Sequence, residues 1–411
     1  MKTVGLIVEY NPLHNGHYYH FQQSKKVSGA DAAVAVMSGH FLQRGEPAMV
    51  NKWARAEMAL RMGVDLVLEL PVAYSAQPAE WFAYGAVSAL DAAGVVDTLC
   101  FGSESGDISW LHRVADAAAE ESAGFQSLLQ QELKAGLPYP TAYSRAVAQY
   151  VPGTAESELA QPNNTLGLHY LIALKRLQSR IEPLTITRQK AGYNQSDITD
   201  SQIASATALR HMLFERMTLE EIAPYVPVGT LDVLRREWAA GKAPVRWEHF
   251  AKPLLVQLLN HSAEQLAEFH EVGEGLEHRI KQALPSLSID STNVVESLVG
   301  LLKTKRYTRT KLQRTLLRIL LNHKKPQLAP AVLAQGAPYL RVLGFTSTGQ
   351  ELLRRMKKTA KVPVVTKVTS LSEPSPLLQL DIQATSVYAL GCRTASERDL
   401  FRDYYEPPVR G

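Results

Sequence analysis

The residues best suited to chemistry stand near the start of the chain: Asn11-Pro12-Leu13-His14-Asn15-Gly16-His17. Two imidazoles three positions apart at the opening of a helix can face one point in front of its N-terminus. Gly16 removes a side chain where a ligand must approach the backbone. The amides of a helix N-terminus attract anions. Histidines there can donate hydrogen bonds to phosphate oxygens and stabilise charge at a phosphorus centre. Phosphoryl or nucleotidyl transfer needs little beyond such positioning and charge stabilisation. Two solvated loop histidines would give the same letters. Here a strand precedes the motif, an Asn-Pro turn lies within it and a helix follows.

The elements that must position these residues can be read from the pattern. Thr3 to Val8 is a β-branched apolar strand, and a helix opens at Gly16 and runs through Lys25. Ala32 to Met37, Val64 to Leu70 and Val96 to Phe101 are further strands, separated by helices over Asn51 to Met62 and Glu80 to Ala93. Such alternation predicts an α/β fold with a parallel sheet covered on both faces. Ligands then sit beyond the carboxyl ends of the strands. Ile108 to Leu177 reads as mainly helical, Ile181 to Arg188 as a strand returning to the sheet, and Ser201 to Phe214 as a helix. From Glu220 onward helical patterns dominate. The division expected is 1–215 for the sheet domain, 216–370 for a helical basic domain, and 371–411 for a tail of uncertain packing, with a Pro- and Ser-rich loop at Ser370 to Pro376.

The chain has 411 residues, 45% of them hydrophobic and 20% charged. That describes a folded protein of more than one domain, able to build a core without disulfides or structural metals. Its two cysteines, Cys100 and Cys392, provide neither a disulfide framework nor a cysteine-rich zinc site. They fit a reducing compartment. No apolar run is long enough for a spanning helix, and Glu9 interrupts the first one before it could serve as a signal-peptide core. A cytoplasmic protein without membrane contact is expected.

Gly5 to His17 resembles the first motif of the HIGH-type nucleotidyltransferases, which bind ATP over a Rossmann-like sheet and open it at the α-phosphate. The run Ala204-Ser205-Ala206-Thr207-Ala208-Leu209-Arg210 resembles their second motif, with alanines at two of the usual positions. Ser205, Thr207 and Arg210 keep the hydroxyls and the cation that would hold the β- and γ-phosphates. The first motif, Ser38 to Ala48 (SGHFLQRGEPA), Phe101-Gly102-Ser103-Glu104 and Pro162 to Gly167 (PNNTLG) together resemble the bacterial tRNA(Met) cytidine acetate ligase family. The resemblance implies a Rossmann-like nucleotidyltransferase domain that activates acetate with ATP to acetyl-adenylate. The acetyl group then goes to N4 of the wobble cytidine of elongator tRNA(Met). It implies His14, His17 and Arg210 as catalytic residues. It also implies ATP contacts from Ile7, Val8, Glu9, Tyr10, Asn11, Pro12, Leu13, Asn15, Gly16, Tyr18, Tyr19 and His20, and from Gly102, Arg188 and Gln189. Asn163 and Asn164 are both carried as ATP contacts, since sequence does not separate them. Mg²⁺ is expected to accompany the nucleotide, with no metal-ligand cluster in the chain.

Glu9 is a departure from the small adenylyltransferases, which commonly carry a Thr and an Asp where this chain has Glu9 and Asn11. A carboxylate there would repel a phosphorylated acceptor. Arg44, Lys52 and Arg55 are the cations that could offset it. His40 is a candidate general base, with a structural or RNA-contacting role equally open.

Lys303 to Lys325 holds nine Lys or Arg and no acidic residue. Leu312, Leu316, Ile319 and Leu320 follow helical spacing and should pack inward, leaving Lys311, Arg314 and Arg318 outward. Lys303, Lys305, Arg306 and Arg309 precede them, and Tyr307 among these cations could stack on a base. A second cluster comprises Arg354, Arg355, Lys357, Lys358 and Lys361. Either can be an ordinary solvated face. Both fall in the second half, where the resemblance implies that tRNA would bind, and this points to an RNA surface with steep salt dependence. Two other readings stay open: an adenylyltransferase acting on a small molecule, and an RNA-binding protein whose nucleotide site is vestigial.

Overall fold

A computed structural model of the chain describes all residues except 120–122, 138, 152, 154, 155, 160, 189–203, 217, 290 and 291. Thr3–Val8 forms β1, Ala32–Ser38 β2, Leu66–Leu70 β3, Thr98–Ser103 β4 and Glu182–Thr187 β5. They pair in parallel, in the order β5-β4-β1-β2-β3. The chain leaves β1 towards β2 and later returns to its other side as β4. A crevice therefore opens between the ends of β1 and β4, the place where open sheets of this kind bind ligands.

Both faces of the sheet are covered. Along β2, Ala32, Val34 and Val36 belong to one apolar cluster, and Ala33, Ala35 and Met37 to the other. Successive side chains point to opposite faces, so a strand buried on both sides reads as an unbroken apolar run. Helix α1 (Asn15–Ser28) closes at Gly29, whose φ of 61° frees its N–H to bond the carbonyls of Lys25 and Lys26. Helix α2 (Lys52–Met62) starts at Asn51, whose side chain accepts from the Ala54 amide at 3.0 Å. Among the described residues no helix is long and apolar enough to cross a membrane.

The sheet does not stop at residue 215. Residues 216–370, read as mainly helical, contain β6 (Leu340–Phe345), which pairs antiparallel with β3, and β7 (Val364–Val365), which pairs with β6. From the last residues β8 (Val409–Arg410) pairs with β6 as well. The pattern hides β6 because Arg341 interrupts a short apolar run, yet Arg341 is 1% exposed. The 371–411 segment is also built into the core. Its helix Pro376–Ala389 is capped by Ser375, and the Tyr388 hydroxyl donates to the Ala48 carbonyl at 2.7 Å.

A buried polar cluster joins these parts. The Lys52 ammonium on α2 contacts Glu69 of β3 at 2.8 Å and Asp403 at 3.0 Å, and none of the three side chains is more than 3% exposed. Arg341 reaches Asp403 at 3.5 Å. Thr385 donates to the same carboxylate. Asp381 accepts from the Val72 amide at 2.7 Å and from the Tyr339 hydroxyl at 2.5 Å. Burial alone would lower the Lys52 pKa, but Asp403 and Glu69 outweigh it and raise it. Burial, with Glu69 second, pushes the Asp381 carboxyl well above the usual range.

Removing one partner of such a pair leaves an uncompensated buried charge, at a cost of about 3–5 kcal/mol. Asp403→Ala should lower the unfolding free energy by about that amount in urea titrations. Arg309→Ala, which breaks a pair with Glu296 in which both side chains are about half exposed, should cost less than about 1 kcal/mol. Equal losses in the two variants would overturn this ranking.

Candidate functional site

The turn after β1 starts the site. Tyr10 has φ of 51°, a conformation that costs a bulky residue about 1–3 kcal/mol. Its ring packs edge-on against His17 at 5.1 Å. His14 is the N-cap of α1, and the two histidines form a reciprocal capping pair. The Gly16 amide donates to His14 Nδ1 at 3.1 Å, and the His14 amide donates to His17 Nδ1 at 3.2 Å. An Nδ1 that accepts fixes the neutral tautomer with the proton on Nε2. Both rings are therefore Nε2–H donors, tilted 34° to each other with centroids 3.8 Å apart. The sequence suggested that free helix amides would meet the anion; the Gly16 amide is instead taken by His14.

Burial, then Arg188 and Arg210, lowers the His14 pKa to about 3. Burial, then Arg188, lowers His20 to about 4. His17 is lowered well below its ordinary value, with burial first among the causes. The imidazoles are neutral donors, and the cationic charge at the site belongs to the arginines.

The β4 and β5 ends form the opposite wall. Gly102 lets Arg188 lie close, since a Cβ there would come 3.1 Å from its Cγ. Arg188 Nη1 donates to Asn163 Oδ1 at 3.1 Å. Glu104 caps the helix Pro162–Arg176: its carboxylate accepts from the Asn163 side chain (2.6 Å) and from the Asn163 and Asn164 amides (3.2 and 2.8 Å). Asn164 turns to the backbone, accepting from the Glu104 amide and donating to the Glu158 carbonyl.

The helix Ala206–Arg216 supplies the third side. Ser205 caps it by accepting from the Ala208 amide at 3.0 Å. One turn in, Arg210 donates to the Asn11 carbonyl at 2.9 Å and pairs with Glu46 at 3.5 Å.

These walls enclose a cavity of about 250 Å³. Of the expected nucleotide residues, Ile7, Val8, Glu9, Tyr10, Asn11, His14, Gly16, His17, Tyr19, His20, Gly102, Asn163, Arg188, Ser205, Thr207 and Arg210 line it. Pro12, Leu13, Asn15, Tyr18 and Asn164 are not in its lining. Gln189 lies outside the described residues. Sequence reasoning missed Phe82, Tyr170 and Ile186 of the apolar wall, and carried its Phe101 and Leu166, and the loop residues Leu42, Gln43 and Glu46, only as motif residues without a place in the site. Gly167 was a usable signal for that wall, since a Cβ there would strike Phe101 at 2.4 Å. Two buried side-chain atoms in the cavity lining, Asn11 Nδ2 and His20 Nε2, have no partner among the described residues. Such atoms call for an explanation, and a polar ligand provides one.

Glu9 accepts from the Gln43 amide at 2.8 Å, and burial raises its pKa against the pull of Arg55 and Arg210. Its repulsion of an anionic acceptor is reduced accordingly. Of the three cations considered for it, Arg55 donates to the Glu9 carbonyl at 2.7 Å and Arg44 lines the cavity, while Lys52 is committed to Glu69 and Asp403. His40 is absent from the cavity lining; it stacks on Tyr388 at 4.3 Å, a packing role.

The expected basic surface needs correction. Arg318 does not point outward: it is 0% exposed and donates to the carbonyls of Val72 and Ala76. Tyr307 is 6% exposed, with its hydroxyl on the Glu274 carbonyl, so its ring is not an open platform. Arg306 and Lys311 pair with Glu274, Arg309 with Glu296 and Arg314 with Glu271. Lys303 and Lys305 are exposed. The acidic partners lie 13 to 43 residues away in sequence, outside the window in which the run looked acid-free. In the second cluster, Lys361 pairs with Asp91.

The family model for HIGH nucleotidyl transferases matches residues 1–403. The chain is 42% identical over 400 residues to the tRNA(Met) cytidine acetate ligase of Acetivibrio thermocellus, covering 95% of each. It is 40% identical to that of Caldanaerobacter subterraneus subsp. tengcongensis over 414 residues, covering 100% of each. Its fold is similar to the crystal structure of apo Thermotoga maritima TmcAL, with a TM-score of 0.93 and 35% identity over 100% of this chain and 99% of that one. The α-thio-ATP-bound form of that protein gives a TM-score of 0.90 at the same identity and coverage.

Two outcomes follow from this geometry. Asn163→Ala should weaken nucleotide binding about tenfold, the loss of a hydrogen bond to a charged group. Asn164→Ala should leave the nucleotide Kd within about twofold and lower stability by about 1–3 kcal/mol; the reverse pattern would reject the assignment. With neutral imidazoles, affinity for magnesium-saturated nucleotide, whose phosphates are already fully ionised, should show no step near pH 6.5 between pH 6 and 8 in calorimetric titrations. The depressed histidines bind protons in the unfolded chain near pH 6.5 but not in the folded one. Their stabilising contribution is full above about pH 6.5 and falls as pH drops towards 4 and then 3.

Proposed function

The chain belongs to the HIGH nucleotidyl transferases and, within them, to the tRNA(Met) cytidine acetate ligases; from this we propose how its residues divide the work. Acetate and ATP give acetyl-adenylate, and the acetyl group passes to N4 of the wobble cytidine of elongator tRNA(Met). In the first step an acetate oxygen bonds to the α-phosphorus, the bond to the bridging oxygen breaks and pyrophosphate leaves. In the second, the cytidine nitrogen bonds to the acetyl carbon, the carbon–oxygen bond to phosphate breaks, AMP leaves and the amine loses a proton.

The observation that carries this reading is the pair of Nε2–H donors fixed by mutual capping at the mouth of the crevice, with two arginines facing them. His14 and His17 donate to phosphate oxygens, where charge grows as pyrophosphate departs. Arg210 and Arg188 bring fixed positive charge to the same anion. The apolar wall of Phe82, Phe101, Leu166, Tyr170 and Ile186 shelters the mixed anhydride from water. Among the described residues no group of three or more metal-ligating side chains exists, and the carboxylates lining the cavity are Glu9 and Glu46. This donor set suits Mg²⁺ that arrives with the nucleotide and neutralises phosphate charge, rather than a resident ion.

The test is modification in vitro with ATP, Mg²⁺, labelled acetate and bulk bacterial tRNA, with digested nucleosides separated by mass. ATP-dependent label in N4-acetylcytidine is the expected result. Acetate-dependent pyrophosphate exchange with no label in RNA would move the acceptor to a small molecule. His17→Ala should slow exchange about 10²–10³-fold. Unchanged exchange in that folded variant would remove the imidazole from the mechanism.

A further inference from the structure

A second cavity has a volume of about 360 Å³. Phe214 and Trp238 form aromatic walls, and Arg246 and Arg393 bring cations to its lining. Both rings pack against the core and are only partly buried, so part of each remains open to the cavity. No acidic residue lines it among the described residues. Lys242, also in the lining, is committed to Asp399, whereas Arg246 and Arg393 have no ion-pair partner among the described residues. The contrast with the 303–318 run is direct, because there most of the cations are already neutralised by glutamates. Unneutralised cations beside half-open aromatic rings suit a flat, anionic ligand such as a nucleotide.

The position narrows the choice. Phe214 stands one turn beyond Arg210 on the same helix, and side chains so spaced are about 6 Å apart on one face. The segment lining the second cavity is also pinned to the loop lining the first. The Trp247 indole donates to the Gly45 carbonyl at 2.8 Å, and the Val245 amide donates to the Met49 carbonyl at 2.9 Å. The two cavities are therefore held in fixed relation, within reach of neighbouring nucleotides on one unstacked strand. A base must be splayed out of its stack to be modified, and its neighbour then needs a place to go.

We propose that this cleft holds an unpaired nucleotide of the RNA substrate next to the one being acetylated. Trp238 and Phe214 stack on its base, and Arg246 and Arg393 meet its phosphate. The proposal rests on the RNA-modifying function given above and adds a subsite to it.

The experiment uses the full chain and two variants, Trp238→Ala and Arg246→Gln. Each is assayed for acetate-dependent pyrophosphate exchange, which needs no RNA, and for acetyl transfer to an elongator tRNA(Met) transcript. Exchange should stay within about twofold of the parent. The KM for tRNA should rise about tenfold in Trp238→Ala with kcat little changed, a loss typical of one base stack, and Trp238→Phe should restore it. Arg246→Gln should lower the salt slope of tRNA binding by about one unit. Unchanged KM and salt slope in folded variants would overturn the proposal. A second readout needs no variant: a transcript carrying 4-thiouridine beside the target cytidine should crosslink, on irradiation, to peptides containing Phe214 or Trp238. Crosslinks confined to other peptides would overturn it too. A parent enzyme that exchanges pyrophosphate yet acetylates no tRNA would overturn the function and this subsite together. Failure of the cleft alone leaves the function standing.

Discussion

One buried ammonium ties the sheet, α2 and the end of the chain to each other. Lys52 on α2 faces Glu69 of the sheet and Asp403 near the end of the chain, with all three side chains shut away from solvent. Three residues further along α2, Arg55 donates to the carbonyls of Glu9, Ser38, Gly39 and Val50. The loops leaving β1 and β2 are tied to one guanidinium. The helix carrying that guanidinium is anchored by a carboxylate 351 residues away. The floor of the proposed catalytic crevice is thus tied to the C-terminal residues, although none of them lines it. A buried ion pair is not by itself a source of stability. Its consequence here is positional: Asp403 takes up Lys52, Arg341 and Thr385 together, which fixes the C-terminal helices against α2 and the sheet.

In the proposed reading the crevice meets anions with neutral donors and few buried charges. Every cation placed out of water carries a desolvation cost; of the two arginines, Arg188 is exposed and Arg210 half-buried. Protonated histidines beside them would repel both. Burial and the arginines keep the imidazoles neutral, and capping directs their protons to Nε2. The helix start is completed by the same side chains that are poised for the ligand, so correct folding of the first turn and correct aim of the donors are one event. Glu9 obeys the same rule: burial raises its pKa, which reduces the conflict between a carboxylate in the site and an anionic substrate.

The surface treats positive charge differently from place to place. Most of the basic run in the second half is matched by glutamates, and Arg318 has been drawn into the interior as a brace between backbone carbonyls. Screening and competition from a fixed carboxylate both weaken what such a cation can offer a phosphate. Counting basic residues along a sequence therefore overstates the anion-binding surface. What matters is which cations keep no partner once the chain has folded.

The local features of this protein were legible because they are written within a few residues. The parallel strands β1 to β4 appear as largely apolar runs, since both faces of the sheet are buried there, while the edge strand β5 is mixed in sequence and only partly buried. The capping residues of α1 and α2 stand beside the patterns they terminate. The motif from Asn11 to His17 marks the cavity end of β1, and Ser205 to Arg210 the helix that lines the same cavity. What lay out of reach was every property set by distant partners or by loss of water. Arg341 looked like a break in an apolar run until Asp403 was placed beside it. Asn163 and Asn164 are alike as letters, and only Arg188 and the Glu158 carbonyl tell them apart. The acid-free run from Lys303 found its acids elsewhere in the chain. The two histidines were chosen by sequence, but their neutrality was decided by tertiary structure. A pKa depends on the dielectric and charges surrounding a ring, and those are contributed by residues the ring meets only after folding.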